Sequence, residues 1–209
     1  MKDKLILVGG GGHCKSVIDV AEKAGFFIIG VLDVPENLGK SILDYKVIGT
    51  DDDIPNYVDE VLFIVTVGQI KDSTLRIRIH DRIMSAGGRL ATIISPTAQI
   101  SKYASIDEGT VILHQAAINA DTKIGKGCII NTFANIEHDS IVGNYTHIST
   151  GAMVNGDCKI GESVFVGSQS VLSQGVSVAD NSVISAATFV SKSIKSAGIY
   201  AGNPVRKIK

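Results

Sequence analysis

The segment Asn135-Ile136-Glu137-His138-Asp139-Ser140 places a histidine directly beside a carboxylate. A histidine titrates near neutral pH, and an adjacent carboxylate can orient its ring and raise its basicity. That pairing suits proton abstraction from an amine or a hydroxyl. His147 follows nine residues later. Both histidines could also be surface side chains satisfied by backbone. His114, His138 and His147 show no three-ligand spacing, so no metal is expected. A second candidate is the run Gly9-Gly10-Gly11-Gly12-His13, which follows a short apolar stretch. It satisfies G-x-G at Gly9 and Gly11, but Cys14 holds the third glycine position of a dinucleotide fingerprint. Such a loop either turns a strand tightly into a helix or offers backbone N–H groups at the helix N-terminus to a phosphate. A third is the tail from Ala201 to Lys209, where a Gly-Asn-Pro turn precedes Arg206, Lys207 and Lys209. Those cations could sit beside a phosphate, or the tail could be a solvated terminus.

The elements that must position these residues are written in a six-residue repeat. Ile94, Ile100, Ile106, Ile112, Ile118, Ile124, Ile130, Ile136, Val142, Ile148, Val154, Ile160, Val166, Leu172, Val178, Ile184 and Val190 follow one another at intervals of six without a miss. With about a quarter of residues aliphatic, the chance probability is on the order of 10⁻¹⁰. Four residues after each comes a small or slim side chain, for example Ala116, Cys128, Ala134, Ser140 and Ala152. A period of six fits neither a helix nor a hairpin meander. It fits a parallel β-helix with three hexads per triangular coil, roughly five coils in all. Aliphatics stack inside, small residues sit near the corners, and His138, two places after interior Ile136, turns outward. His147 is one and a half hexads from His138, so the two cannot stack within one coil but could meet across a subunit interface. A flat-sided coil has no deep pocket, so small molecules are expected where subunits meet.

The abrupt start of the repeat predicts an α/β unit over residues 1–92, a β-helix over 93–192 and a C-terminal tail over 193–209. In the first unit, Lys4 to Val8, Phe27 to Leu32 and Val61 to Val67 read as strands. One helix carries Val17, Val20, Ala21 and Ala24 and is capped by Gly25; a second starts at Ser73 and carries Leu75, Ile79, Ile83 and Ala86. Alternation of strands and helices predicts a parallel sheet, with ligands beyond the carboxyl ends of its strands. Three loops meet there: Gly9 to His13, Asp33 to Val34, and Gly68 to Gln69. A formal net charge of −1 gives no bulk reason to expect nucleic acid or membrane as a partner. The apolar start is too short and too glycine-interrupted for a signal peptide or a membrane span, so a cytoplasmic protein is expected. Cys128 and Cys158 occupy the small-residue row and read as reduced packing residues, while Cys14 lies beside the glycine loop.

Taken with the Ile-Glu-His-Asp segment and the Ala-Gly-Asn-Pro tail, the hexads make the chain resemble the left-handed β-helix (hexapeptide-repeat) acyltransferases. In particular it resembles bacterial sugar acetyltransferases, typified by sialic acid O-acetyltransferases and UDP-4-amino-sugar N-acetyltransferases. The left hand comes from this resemblance alone, since the general crossover rule predicts a right-handed coil. The resemblance implies a Rossmann-like α/β unit for substrate, a left-handed β-helix for acetyl-CoA and a homotrimer with acetyl-CoA between adjacent coils. It implies His138 as general base, Asp139 as the group polarising it, and His147 as a contact to the thioester from the neighbouring subunit. By the same resemblance Gly167, Ser168 and Ala186 line the acetyl-CoA groove with Arg206 of the tail. Gly11, Gly12, His13, Asp33, Val34 and Gly68 fall where relatives hold a sugar or sugar-nucleotide. The leading expectation is O-acetylation of a sialic acid in surface-glycan synthesis. The alternatives are N-acetylation of a nucleotide-linked amino sugar, or a non-catalytic sugar-nucleotide-binding assembly factor.

Overall fold

The computed structural model describes residues 3–209. Two apolar runs, β1 (Lys4–Val8) and β2 (Phe27–Leu32), form the centre of a six-stranded sheet. Between them runs α1 (Gly12–Lys23), whose buried face is Cys14, Val17, Ile18, Val20 and Ala21. Ala24 caps this helix, one place before the predicted Gly25, which follows at φ +91°, where a left-handed residue commonly ends a helix. An unanticipated antiparallel pair, β3 (Ser41–Ile42) and β4 (Tyr45–Gly49), extends one edge. β5 (Leu62–Val65) is shorter than its apolar run; just beyond it Thr66 donates its N–H to the Val8 carbonyl at 2.8 Å and its hydroxyl to the Gly9 carbonyl at 2.6 Å. α2 (Thr74–Ser85) and β6 (Arg89–Leu90) complete the unit. Ser73 does not cap α2 with its side chain. Its hydroxyl meets Ser163 Oγ in the coil at 2.7 Å, and Asp72 accepts the Thr74 N–H instead.

From Ile93 onward the hexads become seventeen short strands, β7 (Ile93–Ile94) to β23 (Phe189–Val190), in three parallel sheets. Each strand pairs with the one eighteen residues away, so Ile94, Ile112, Ile130, Ile148, Val166 and Ile184 stack in a single interior column. The small row is buried at the corners, with Ala116, Cys128, Ala134, Ser140, Ala152 and Cys158 all closed to solvent. Their neighbours at the bends have positive φ: Gln115, Asp121, Phe133, Asp139, Tyr145, Asp157, Ser163, Gln169, Asn181 and Ala187. The three faces differ in what they meet. The first, carrying Ile93, Val111 and Leu113, shares a core with Leu5, Val17 and Ile64 of the α/β unit. The second presents Met153 and Phe189 outward, and the third presents Lys123 and Lys159. On the first face β24 (Gly198–Ala201) adds in parallel to the last coil strand, and β25 (Arg206–Lys207) turns back antiparallel on β24. The tail is therefore an ordered part of the coil end.

Because Ile148 sits at the centre of its column with no exposure, Ile148→Ala leaves a void that rigid neighbouring coils cannot close. The expected loss is about 2–5 kcal/mol by urea unfolding. A loss below about 1 kcal/mol would mean that the coil relaxes around the gap.

Candidate active site

His138 projects from the corner between the second and third faces and is exposed. Its Nδ1 meets Asp139 Oδ2 at 2.6 Å. Asp139 lies at the bend with φ +62°, a conformation that short polar side chains tolerate best, and this turns its carboxylate back onto the ring. Glu137 is not a competitor, since its two oxygens accept from Asn119 and Asn135. The bond to Asp139 raises the His138 pKa above its ordinary value, as do the nearby charges of Asp139, Glu137 and Asp157. With Nδ1–H donating to Asp139, Nε2 is the atom left to take a proton. One coil on, Gly156 leaves the room this ring uses, for a Cβ there would come within 2.7 Å of it.

His147 is not the surface residue that its position allowed. It is buried where the first face meets the α/β unit, its ring edge-on to Phe165 at 5.1 Å. Nδ1–H donates to the Gln69 carbonyl at 2.9 Å and Nε2 faces Asn131 Nδ2 at 3.2 Å. Burial pushes its pKa down to about 4. It lines a cavity of about 800 Å³ with Gly12, His13, Ser16, Gly68, Gln69, Lys71, Asn131 and Thr150. His13 Nε2 and Gln69 Oε1 are shut from solvent there and have no partner among the described residues. Burial first, then the Arg76 charge and His147, hold the His13 pKa near about 3, so its ring is neutral. Arg76 itself is fully buried behind this wall, donating to the carbonyls of Val65 and Val67 and, across the seam, to Gly127 at 2.8 Å.

A second cavity of about 340 Å³ opens at the carboxyl ends of β1 and β2, with Gly9, Asp33, Val34, Thr50, Asp51, Arg78 and Arg82 on its walls. The six residues expected to hold sugar or nucleotide are thus divided. Gly12, His13 and Gly68 line the larger cavity, Asp33 and Val34 the smaller, and exposed Gly11 is the N-cap between them. Glycine is required one step earlier than the motif suggested. Gly9 has φ +106°, and a Cβ on Gly10 would fall 2.5 Å from Asp33 Oδ2, whereas Gly11 and Gly12 have open space.

The residues expected to line an acetyl-CoA groove follow a different corner from His138. Thr132, Thr150, Ser168 and Ala186 succeed one another on adjacent coils beyond the first face, the carbonyls of the first three accepting from the N–H groups of Gly151, Gln169 and Ala187 one coil on. Gly167 in that column would bring a Cβ within 2.5 Å of the Ala186 nitrogen, so the coils touch there. Arg206 is exposed on β25. Within one chain this column continues from the larger cavity, while His138 stands on the next corner, stacked between Ala120 and Gly156. Gln69 was named from the sequence as part of the Gly68 to Gln69 loop, whereas Lys71, Asn131 and Thr150 were not singled out. Lys71 adjoins that loop, but Asn131 and Thr150 become neighbours only through the eighteen-residue stacking. His114 is engaged with Asp19 and Ser95, each at 2.7 Å, and no group of three potential metal ligands occurs among the described residues. Cys14 is buried, and burial pushes its thiol up to about 11.

Residues 4–83 match the PglD N-terminal domain family, and residues 121–156 match the bacterial transferase hexapeptide family of six repeats. PerB from Caulobacter crescentus, solved in complex with CoA and GDP-perosamine, superposes with a TM-score of 0.92 at 26% identity, covering 99% of this chain and 97% of that one. The acetyltransferase domain of PglB from Neisseria gonorrhoeae, in complex with acetyl coenzyme A, gives 0.91 at 27% with both chains fully covered. The chain is a PglD-like hexapeptide-repeat sugar acetyltransferase. WeeI from Acinetobacter baumannii shares the fold of this acetyltransferase at 20% identity and a TM-score of 0.87 over 99% of this chain and 100% of that one. No curated protein matches the acetyltransferase significantly. Its coil is a left-handed parallel β-helix behind a small Rossmann-like α/β unit, as the resemblance implied and against the general crossover rule. Among the described residues no helix of this acetyltransferase is long and apolar enough to cross a membrane.

Proposed function

We propose that this acetyltransferase moves the acetyl group of acetyl-CoA to the amine of a nucleotide-linked amino sugar. The observation that carries the reading is the pair of cavities flanking the glycine loop, the smaller touching Gly9 and Val67 and the larger, at the seam with the coil, touching Gly12 and Gly68. A nucleoside fits the smaller, with Asp33 beside its ribose as an acid some twenty residues beyond the first glycine commonly is. A diphosphate then lies over the α1 N-terminus and the sugar enters the larger cavity. Free sialic acid has no nucleoside with which to use the smaller cavity. That PerB was solved with GDP-perosamine supports the same assignment.

In the proposed reaction the amine nitrogen attacks the thioester carbonyl while His138 Nε2 takes its proton. A backbone N–H stabilises the oxyanion, the C–S bond breaks, and the CoA thiolate leaves and recovers the proton. Asp139 holds the ring and its tautomer. Acetyl-CoA would run along the Gly167, Ser168 and Ala186 corner toward Arg206, with His147 against the thioester. Because that corner and His138 are separate in one chain, a second copy must bring them together, which a homotrimer packed through the apolar second face achieves. Met153→Glu on that face is expected to give monomers by sedimentation and to abolish activity. An active monomer would sink the shared site. With acetyl-CoA as donor, the reaction belongs in the cytoplasm.

The deciding experiment measures CoA release against free sialic acid, CMP-sialic acid, and UDP- and GDP-linked 4-amino sugars. Release with the amino sugars alone supports the reading; release with sialic acid moves the enzyme to O-acetylation. Failure to bind acetyl-CoA would favour an assembly factor.

A further inference from the structure

Among the described residues none that lines the larger cavity is acidic, although the chain carries 21 acidic residues. Lys71 is the one charged side chain on its wall, and it makes no ion pair among the described residues. The other polar residues there are neutral: His13 and His147 are held so by burial and by the charge of Arg76. Arg76 adds a positive charge behind the wall, bonded only to carbonyls. At the mouth, α1 begins with no side-chain cap and no acid in its first turn; Cys14 N–H turns back to the Gly11 carbonyl at 3.1 Å, while the N–H groups of Gly12 and His13 meet no side-chain acceptor among the described residues. His13 Nε2, shut from solvent, is a further group of this wall without a partner among the described residues, the kind of buried polar atom that calls for an explanation. The formal charges here, Lys71 on the wall and Arg76 behind it, share the positive sign of the α1 N-terminus, and the one free to move to meet a ligand is the exposed Lys71.

We propose that Lys71 is the residue that neutralises the diphosphate of the substrate, pairing with it opposite the N-terminus of α1. This rests on the nucleotide-linked reading above. Lys71 thereby selects substrates by the charge that links sugar to nucleoside, not by the sugar. The neutral imidazoles leave that selection to a single exposed, flexible ammonium, which can follow the phosphates as the sugar is seated.

Calorimetric titration of the full chain with uridine, UMP and UDP, and with guanosine, GMP and GDP, tests this. In the series that binds the wild type, Lys71→Met is expected to weaken the diphosphate by about 10–100-fold, the worth of one hydrogen bond to a charged group. The nucleoside should change less than about twofold, Lys71→Arg should retain most of the affinity, and the KM for acetyl-CoA should not move. Equal weakening of nucleoside and diphosphate, or no weakening, overturns the assignment of Lys71 while leaving the nucleotide-linked reading intact. If neither series binds the wild type, both readings fall.

Discussion

His138→Ala is expected to lower kcat by about 10²–10⁴-fold, the usual worth of a positioned general base, while thermal unfolding and sedimentation stay as in the wild type. The side chain is exposed and its one polar partner is the adjacent Asp139, so its removal opens no void and strands no buried group. Chemistry and folding are therefore separable at this position. The pH profile offers an independent check. Asp139 raises the His138 pKa, so the basic form is present above that raised value and is lost as pH falls through it. The acid limb of kcat/KM should accordingly lie above the ordinary histidine value near 6.5. Asp139→Asn keeps a side chain that tolerates φ +62° but removes the charge, so the limb should move to lower pH. An unchanged rate in His138→Ala, or a limb that ignores Asp139, would remove this pair from the mechanism.

Arg76→Met should give the second large effect, this time on stability. The guanidinium is fully buried and satisfies carbonyls on both sides of the seam, Val65 and Val67 in the α/β unit and Gly127 in the coil. A buried acceptor left unmatched costs about 1–3 kcal/mol, and relief of the buried charge offsets only part of that. A net loss of about 3 kcal/mol is expected, which for a chain of this size lowers Tm by about 6–12 °C. Differential scanning calorimetry would show it, and a Tm within about 2 °C of wild type would mean that the seam does not depend on this bridge.

Much of this was legible because the coil is periodic. Once the spacing of six is seen, Ile136 must face inward and His138 outward, and Cys128 and Cys158 must pack. The α/β unit was readable at β1, β2 and α1, where apolar runs meet glycine. It was less so at β3 and β4, two short strands whose apolar content is too small to stand out. The site was only half legible. His138 and Asp139 are neighbours in sequence, so their pairing needed no tertiary knowledge. Burial of His147 depends on Gln69, 78 residues away, and no local pattern carries such a distance. Ser73 shows the same limit, since a good capping residue gave up its cap for a partner 90 residues on. The glycines at 9 and 10 are demanded by Val67 and Asp33, side chains just past the ends of β5 and β2.

A stack of parallel coils ends on strands whose outward N–H and C=O groups would welcome another coil, including the first coil of another molecule. The turn from β24 into β25 closes that opportunity on the first face. It reverses the strand direction, shortens the edge to two residues and makes both of them cations, Arg206 and Lys207. An incoming parallel strand would meet the wrong polarity and a like-charged fringe. The tail can thus serve as a terminator of fibre growth, letting this fold repeat itself within a molecule without repeating itself between molecules.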